Sequence, residues 1–336
     1  MLNRLALVLF VLPLTWAAAN RDAKIVASLL QAGSNAESDS ALITAARSGK
    51  LDTIKQLLDR GADVNAKGST SGHTALMAAV LGNHRDAAQL LLERGADINA
   101  STEDGMTALL FAAREGYQEM AALLLERGAD PNARDNHGRG ALFFAIEARN
   151  RERSENPAAS ALLEALVITG VDVNARANPD DASWVDFDGE TPFLRAALSG
   201  DVESMRYLLK HGADPNLGTW GGTTPLMAAA GITYVPGQTF LRPEPEVLAA
   251  IQLCLDTGAN VNAANSDGLT AMHGAANRGW ESVIKLLADH GAKLNARDKQ
   301  GRTPVTFAEG AFLADQPPEA RLRAIELLKE LIAGRD

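Results

Sequence analysis

A six-residue phrase that occurs seven times constrains the fold of this chain more than any other feature. Gly-Ala-Asp-Val-Asn-Ala begins at Gly61 and recurs with small changes, starting at Gly95, Gly128, Gly170, Gly212, Gly258 and Gly291. The intervals are 34, 33, 42, 42, 46 and 33 residues, so a unit of 33 fits, with three longer units. Such a period is typical of proteins whose units pack only on their neighbours. The sequence therefore predicts a stack of similar modules.

The pattern inside each unit predicts two helices. Most units open with a threonine before Ala or Pro, as an N-cap residue does before a first helical turn. In four units a hydroxyl residue precedes a glycine by nine positions: Ser40, Thr107, Thr191 and Thr270. That glycine, or Asn83 in one unit, accepts the left-handed conformation that ends a helix. A second stretch with apolar residues at helical spacing follows, and a short hairpin leads to the next unit.

This unit resembles the ankyrin repeat, which reads D-x-x-G-x-T-P-L-H-x-A-A-x-x-G and then a helix ending in L-L-x-x-G-A-D-x-N-A. Residues 265–296 follow that pattern almost throughout, with His273 at its histidine position. The resemblance covers residues 40–311 and departs from the pattern at Asn83 and at Gly140, which replaces the capping threonine. It implies an all-α repeat solenoid of helix-turn-helix units with short hairpin connections. It also implies a concave surface, made of hairpin tips and first helices, that binds other proteins.

The first residues have the pattern of a secretory signal, with a basic start, an apolar run over residues 5–14 and small residues at 17–19. We expect cleavage near Ala19 and a periplasmic or secreted protein. The predicted organisation is a signal peptide at 1–19 and an ankyrin repeat domain at 20–336, with an opening cap at 21–39, repeats at 40–311 and a closing cap at 312–336. A retained anchor is less favoured, because the largely apolar stretch that ends at Asn20 has about fifteen residues, fewer than the roughly 20 of a membrane helix. No stable membrane insertion is expected after cleavage.

Composition and motifs argue against several function classes. The formal charge is 32 − 42 = −10, which opposes binding to a phosphate backbone, so we expect no nucleic acid partner. The single cysteine, Cys254, falls at an apolar helix position and allows neither a disulfide scaffold nor a cysteine zinc site. Asp186, Asp188 and Glu190 around Gly189 resemble a calcium loop, but Trp184 stands at the first ligand position of an EF-hand. The turn of the repeat explains Asp186 and Gly189 more simply. We expect no enzyme activity, no metal and no cofactor.

Aromatic residues outside the repeat framework indicate where a partner would bind. Phe187 and Trp220 occupy the first free hairpin position of successive units, by the register of the sequence. Three insertions lengthen the units: a hairpin extension at 176–185 and two segments between helices, at 149–158 and 233–246. Exposed aromatic residues are the usual energetic centres of interfaces. The predicted partner-binding residues are Trp184, Phe187, Trp220, Tyr234, Phe240, Arg242 and Trp280.

These features predict a non-catalytic protein-protein interaction scaffold outside the cytoplasm. It would bind an unidentified protein or peptide in the concave groove of repeats four to seven. The alternative is a small-ligand or carbohydrate binder, because an aromatic recess near Asp186, Asp188 and Arg242 could stack a sugar ring. A third reading is that each extension folds back and covers its own aromatic residues. An enzyme would require a convergent acid–base pair within the recess.

Overall fold

The computed structural model describes residues 35–69, 72–151, 157–178, 188–232, 243–310 and 318–334. These residues form sixteen helices in eight successive pairs. The first helices of the pairs are α1 Asn35–Arg47, α3 Ala75–Leu81, α5 Ala108–Glu115, α7 Ala141–Arg151, α9 Pro192–Ser199, α11 Pro225–Ala229, α13 Ala271–Arg278 and α15 Pro304–Glu309. The second helices are α2 Leu51–Asp59, α4 Arg85–Glu93, α6 Gln118–Glu126, α8 Pro157–Ile168, α10 Val202–Lys210, α12 Glu244–Asp256, α14 Glu281–Asp289 and α16 Pro318–Ala333. Within the described ranges there is no strand, and a single isolated bridge joins Ser101 and Thr107.

Threonine side chains begin most first helices, as the sequence predicts. The hydroxyls of Thr107, Thr191 and Thr224 each accept a hydrogen bond from the backbone N–H three residues later, at 3.2 to 3.3 Å. Such a side-chain cap stabilises a helix by about 1 kcal/mol. At the other end of α5, Gly116 has a φ of 74°, in the left-handed region where a side chain would be strained. Asn83 also adopts this conformation, with a φ of 53°, which confirms its predicted role.

A histidine completes the cap of α13 and joins this repeat to the next. The backbone N–H of Thr270 donates to Nδ1 of His273 at 3.1 Å, so the ring proton belongs on Nε2. Nε2 donates that proton to the carbonyl of Arg302, 3.2 Å away in the following repeat. Burial is the main cause that lowers the pKa of His273 below its ordinary value of 6.5. The buried ring is therefore neutral and has a framework role.

Asparagine side chains connect the loops that follow successive second helices. Oδ1 of Asn65 accepts from the N–H of Asp97 at 2.8 Å, and its Nδ2 donates to the carbonyl of Gly95 at 3.3 Å. Asn174 and Asn262 make the same two hydrogen bonds with the loops that come after theirs. Each amide satisfies two backbone groups of a neighbouring loop. These bonds explain why asparagine recurs in the repeated phrase.

The chain divides into two compact units. Unit 1 contains Met1–Asn136 and Glu164–Val171, and unit 2 contains His137–Leu163 and Asp172–Asp336. In unit 1 the first helices α1, α3 and α5 pack in succession, and in unit 2 α7, α9, α11, α13 and α15 do so. Buried alanines at these contacts, such as Ala196, Ala228 and Ala275, let neighbouring helices approach closely. Phe193 is fully buried in α9. Each core is thus built between adjacent repeats rather than inside one.

The first described helix begins earlier than the sequence pattern predicts. Helix α1 starts at Asn35, so Ser40 lies inside the helix and is not its N-cap. The carbonyl of Ser40 accepts a hydrogen bond from the Thr44 hydroxyl at 2.9 Å, as an interior helical residue can. The described residues include 35–39 of the predicted opening cap and 318–334 of the closing cap. The division into leader, caps and repeats stays a prediction.

Two of the predicted insertions are partly helical. Helix α7 continues through Arg151, where the sequence suggested a loop beginning at Arg149. The reason is that Arg149 is buried in an ion pair with Asp201, which holds this last turn of α7 in place. Residues 233–242 lie outside the described ranges, and α12 already begins at Glu244. Glu244 and Glu246 lie in its first turn, where negative charge favours a helix.

Candidate functional site

Short turns precede the first helices, and backbone hydrogen bonds link these tip turns from repeat to repeat within unit 2. The N–H of Trp220 donates to the carbonyl of Asp188 at 2.7 Å. In the next two repeats the N–H of Ser266 donates to the carbonyl of Gly221 at 2.6 Å, and the N–H of Lys299 donates to the carbonyl of Asp267 at 2.8 Å. Because each turn is fixed to the one before it, the side chains at these tips have defined positions. A tip residue in unit 2 can therefore be presented to a partner without first being ordered.

The hydrogen bonds correct the register of one tip. The N–H of Ala177 donates to the carbonyl of Glu190 at 2.9 Å, and the N–H of Asn178 donates to the carbonyl of His137 at 2.7 Å. Asn178 therefore holds the first free position of its turn, which the sequence pattern assigned to Phe187. The extension comprises residues 179–187 rather than 176–185. The sequence pattern gives Phe187 because it counts back from Gly189. The extra residues come after Asn178 in the sequence, so the count reaches them before it reaches Asn178.

Trp220 is the most prominent side chain of the tip surface, and 62% of it is exposed. Its indole ring lies against Gly189, where a Cβ atom would come within 2.7 Å of the ring. The Arg176 guanidinium lies over the same ring, 4.0 Å from its centroid, in a favourable cation–π arrangement. Gly189 is therefore required for the close approach of two tip turns. Its neighbours hold the indole in place while most of its surface meets solvent.

Trp280 lies on a different surface from Trp220. It is the N-cap residue of α14 and follows a first helix, whereas the Trp220 turn precedes one, so the two residues lie at opposite ends of the first helices. The Arg278 guanidinium lies 4.9 Å from the centroid of the Trp280 ring, which is only partly exposed. A cleft of about 630 Å³ beside it is lined by residues of α12, α14 and α16, including Lys285 and Arg323. The structure does not bring the two tryptophans into one site.

The other five predicted partner-binding residues lie outside the described ranges. They are Trp184, Phe187, Tyr234, Phe240 and Arg242. Their membership of the site stays a prediction. Trp220 is therefore the described residue around which a candidate site can be built.

A charged cluster follows directly after Gly189 and belongs to the same unit. Nη2 of Arg195, in α9, contacts Oε2 of Glu190 at 2.5 Å, and Nη1 lies 3.7 Å from Oε1 of Glu147 in α7. The Arg195 guanidinium also lies over the Phe143 ring, 4.6 Å from its centroid. Glu190 is 1% exposed, whereas 36% of the Glu147 side chain is exposed. One arginine thus joins a buried and an accessible carboxylate.

Burial raises the pKa of Glu190 from 4.5 to about 7, against the opposing effect of Arg195. The charge of Glu147 adds to the increase. Oε1 of Glu190 has no hydrogen-bond partner among the described residues, so no donor stabilises negative charge on this oxygen. Glu190 therefore changes its protonation state near neutral pH. This places a titrating group next to the Trp220 turn.

Sequence reasoning did not identify this cluster as functional. A signal was present, because the residue before the capping position is His73, Met106, Arg139, Thr223, Leu269 and Arg302 in other repeats, and is acidic at Glu190. An acidic residue at a position that packs against the neighbouring repeat requires a cation nearby. Its partner, Arg195, lies five residues later, in the first turn of α9, at a spacing that the sequence shows. The contribution of Glu147 depends on the packing of α7 against α9 and could not be read from spacing.

No group of three or more potential metal-binding side chains occurs within the part of the chain that the structure describes. No helix in those ranges is both long and apolar enough to cross a bilayer. Cys254 lies fully buried in α12, and burial raises its pKa to about 12. Its position agrees with the predicted role as a small core residue.

We expect Cys254 to be unreactive in the folded protein. A thiol must ionise and be reached by the reagent, and neither condition is met for this side chain. Iodoacetamide at about pH 8 should therefore leave the native chain unmodified and should label one thiol completely in 6 M guanidinium chloride, as read by mass spectrometry. Rapid labelling without denaturant would show that α12 opens readily.

Comparisons with known proteins agree with the repeat architecture. The sequence profile described as "Ankyrin repeats (3 copies)" matches residues 14–102, 95–177, 153–235 and 246–312. Cyclin-dependent kinase 4 inhibitor B of Rattus norvegicus is 35% identical over 115 residues, which are 34% of this chain and 78% of that protein. Alpha-latrocrustotoxin-Lt1a of Latrodectus tredecimguttatus is 28% identical over 130 residues, which are 39% of this chain and 8% of the toxin.

A solved structure shows the same fold. The ankyrin repeat domain of human ASB11 superposes with a TM-score of 0.57 at 23% identity, over 76% of this chain and 98% of that domain. The family profile matches far more than half of the chain. The resemblance drawn from the repeated phrase is confirmed, and so is the all-α repeat solenoid. The chain belongs to the ankyrin repeat family.

Proposed function

We propose that this chain is a non-catalytic scaffold that docks a partner protein on the unit 2 surface centred on Trp220. Ankyrin repeats generally mediate protein–protein interaction, and the ankyrin repeat proteins related to this chain are typically binding proteins rather than enzymes. The observation that carries the proposal is the 62% exposure of Trp220 on a turn that backbone hydrogen bonds hold in place. Tryptophan is among the residues that contribute most at interfaces.

The geometry favours capture with little loss of conformational freedom. Immobilising a flexible side chain on binding costs about 0.5 to 1.5 kcal/mol. The Trp220 ring already rests on Gly189 and Arg176, so most of this cost has been met in the free protein. The charged Arg195 cluster begins next to this turn in the chain, because Gly189 is followed directly by Glu190. An aromatic anchor beside charged groups matches the usual composition of a protein interface.

A carbohydrate ligand is the competing proposal for the same residue. A sugar ring would need an open aromatic face, and the Arg176 guanidinium lies over the Trp220 ring at 4.0 Å. A partner protein can instead pack against the exposed part of the indole and leave the arginine in place. A thermal-shift screen with glycans and peptidoglycan fragments separates the two proposals. A rise in melting temperature that is lost in Trp220→Ala would favour the carbohydrate.

Replacing Trp220 by alanine should weaken partner capture at least about 30-fold, which corresponds to about 2 kcal/mol for a central interface residue. The free energy of unfolding should change by less than about 1 kcal/mol, because the side chain is mostly exposed. Affinity capture from an envelope extract, compared between wild type and variant by quantitative mass spectrometry, checks the first statement. Urea unfolding checks the second.

The matched control is Leu322→Ala, which removes an exposed apolar side chain of α16 that is 57% exposed. Capture should be retained in this variant. A partner that binds wild type, Trp220→Ala and Leu322→Ala equally would exclude the Trp220 surface as its docking site.

We also propose that the protein acts outside the cytoplasm, in the periplasm or after secretion. The support is the basic start, the apolar run and the small residues of positions 1–19. N-terminal sequencing of the protein from an envelope fraction tests the proposal. A mature chain that begins near Asn20 is the expected result, and an uncleaved chain in the cytoplasmic fraction would contradict it.

A further inference from the structure

The Arg195 cluster leaves its accessible carboxylate only loosely paired. Arg195 makes its short contact, 2.5 Å, with the buried Glu190, while its distance to Glu147 is 3.7 Å. The longer distance exceeds that of a normal hydrogen bond. Glu147 is also partly exposed, so its oxygens can be approached from solvent. Among the described residues, this cluster therefore offers a carboxylate that can accept a second cation.

We propose that the partner docked at Trp220 presents a lysine or arginine side chain to Glu147, and that Glu190 releases a proton to solvent as this cation arrives. The inference rests on the proposed function, since it specifies the chemistry of the same docking surface. Glu190 follows Gly189, on which the Trp220 ring lies, so the buried end of the cluster adjoins the Trp220 turn. A cationic segment is also attracted by the formal charge of −10 on the whole chain.

The charges around the cluster favour a cation over an anion. The groups that act on Glu190 are Arg195 from α9, Glu147 from α7 and Arg139 from the turn before α7. Arg195 already contacts two carboxylates, and the Arg139 guanidinium lies over the Phe144 ring at 5.1 Å. An incoming carboxylate would meet Glu147 at the exposed side of the cluster and be repelled. An incoming ammonium or guanidinium would pair with it.

The coupling to Glu190 follows from distance and burial. Both carboxylates contact the same guanidinium, so a cation paired with Glu147 comes within about 10 Å of Glu190. Glu190 is buried, where charges are screened less than at an exposed site. An added positive charge stabilises the ionised form and lowers the pKa of Glu190 from about 7. Affinity for a cationic segment should then increase as pH rises from about 6 to about 8, up to about tenfold for each unit by which binding lowers that pKa.

The probe is a fluorescein-labelled peptide of alternating lysine and alanine, with the glutamate–alanine peptide as its opposite-charge control. Fluorescence anisotropy at low salt gives the dissociation constants for wild type, Glu147→Gln, Glu190→Gln and Glu126→Gln. Glu126 lies on the second helix α6, is exposed, and controls for the loss of one negative charge. Circular dichroism and urea midpoints verify that each variant is folded.

We expect the lysine peptide to bind wild type and Glu126→Gln alike and the glutamate peptide to bind neither. Glu147→Gln should weaken binding about tenfold, as loss of an ion pair with a partly buried carboxylate does. Wild type should bind more tightly at about pH 8 than at about pH 6, and this increase in affinity should be smaller in Glu190→Gln, which lacks the contribution of Glu190. Comparing these two proteins at each pH removes the contribution of the histidines, which both contain.

Equal weakening in Glu147→Gln and Glu126→Gln would overturn the inference, because it would show attraction by net charge alone. A pH dependence as large in Glu190→Gln as in wild type would also overturn it, because another group would then release the proton. Neither result concerns the capture of a partner by Trp220. A loss of capture in Trp220→Ala together with either of these outcomes would sustain the proposed function and reject only the lysine or arginine contact.

Discussion

Replacing Arg149 by methionine is expected to lower the free energy of unfolding by about 3 to 5 kcal/mol. Nε of Arg149 donates to Oδ2 of Asp201 at 2.9 Å, and both side chains are almost completely buried. Methionine keeps much of the arginine volume but leaves the Asp201 carboxylate in a buried place without its cation. Removing one partner of a buried ion pair is far more costly than removing both. Urea unfolding followed by circular dichroism measures the change.

The loss of stability in Arg149→Met should begin in unit 2, because Asp201 lies in that unit. Its carboxylate also caps α10, accepting from the N–H of Ser204 at 3.2 Å and from the Ser204 hydroxyl at 2.8 Å. Arg149 therefore connects the last turn of α7 with the start of α10. Because neighbouring repeats supply each other's core, loss of this connection should reduce the stability of the whole unit.

Two variants act as controls for the Arg149 prediction. Glu203 also pairs with Arg149, but 72% of the Glu203 side chain is exposed, so Glu203→Ala should cost less than about 1 kcal/mol. In Arg149→Met with Asp201→Ser, the serine hydroxyl can keep the cap while the unpaired charge is gone, and stability should partly return. A loss as large for Glu203→Ala as for Arg149→Met would contradict the account.

Replacing Glu190 by glutamine is expected to remove a pH-dependent term of about 2 to 3 kcal/mol between about pH 5 and pH 8. Burial raises the pKa of Glu190 to about 7, so the folded chain holds this proton more tightly than the unfolded chain. The resulting stabilisation is complete below about pH 4.5 and is lost as pH rises through about 7. Glutamine does not ionise, so the variant gains stability relative to wild type as pH increases.

Urea unfolding of both proteins at the two pH values measures this difference. Glu126→Gln, which removes an exposed carboxylate, is the control for the change in net charge. If the difference between wild type and Glu190→Gln were the same at both pH values, Glu190 would not be the group that titrates. The Arg195 cluster would then not contain a carboxylate that ionises near neutral pH.

The sequence predicts correctly the features that depend on residues close together in the chain. Threonine caps such as Thr191 and helix ends such as Gly200 depend on residues a few positions apart, and the structure confirms both. The repeated phrase also predicted the stacking, because one helix pair has no partner for its apolar face. The asparagine links between loops are visible in sequence only as a recurring residue, and their partners become clear in the structure.

Long-range contacts account for the differences. The charged segment after Arg149 reads as a loop, because nothing in its spacing shows the carboxylate of Asp201, 52 residues later. The sequence pattern places Phe187 at the first free position of one tip, whereas backbone hydrogen bonds place Asn178 there. An insertion inside a turn shifts the register without changing the pattern on either side. Trp280 follows a first helix and Trp220 precedes one, so the two tryptophans lie on separate surfaces.

Site-specific photo-crosslinking tests the central claim most directly, namely that a partner protein docks on the Trp220 surface. A photoreactive phenylalanine derivative would replace Ser266, the exposed tip residue whose N–H donates to the carbonyl of Gly221 beside Trp220, in one protein and Leu322, the exposed residue of α16, in another. After illumination in an envelope extract, we predict one defined crosslinked protein from position 266 that is absent from position 322 and is reduced by excess unlabelled wild-type chain. The same products from both positions, or none from position 266 while the native chain still captures its partner, would contradict the proposed docking site.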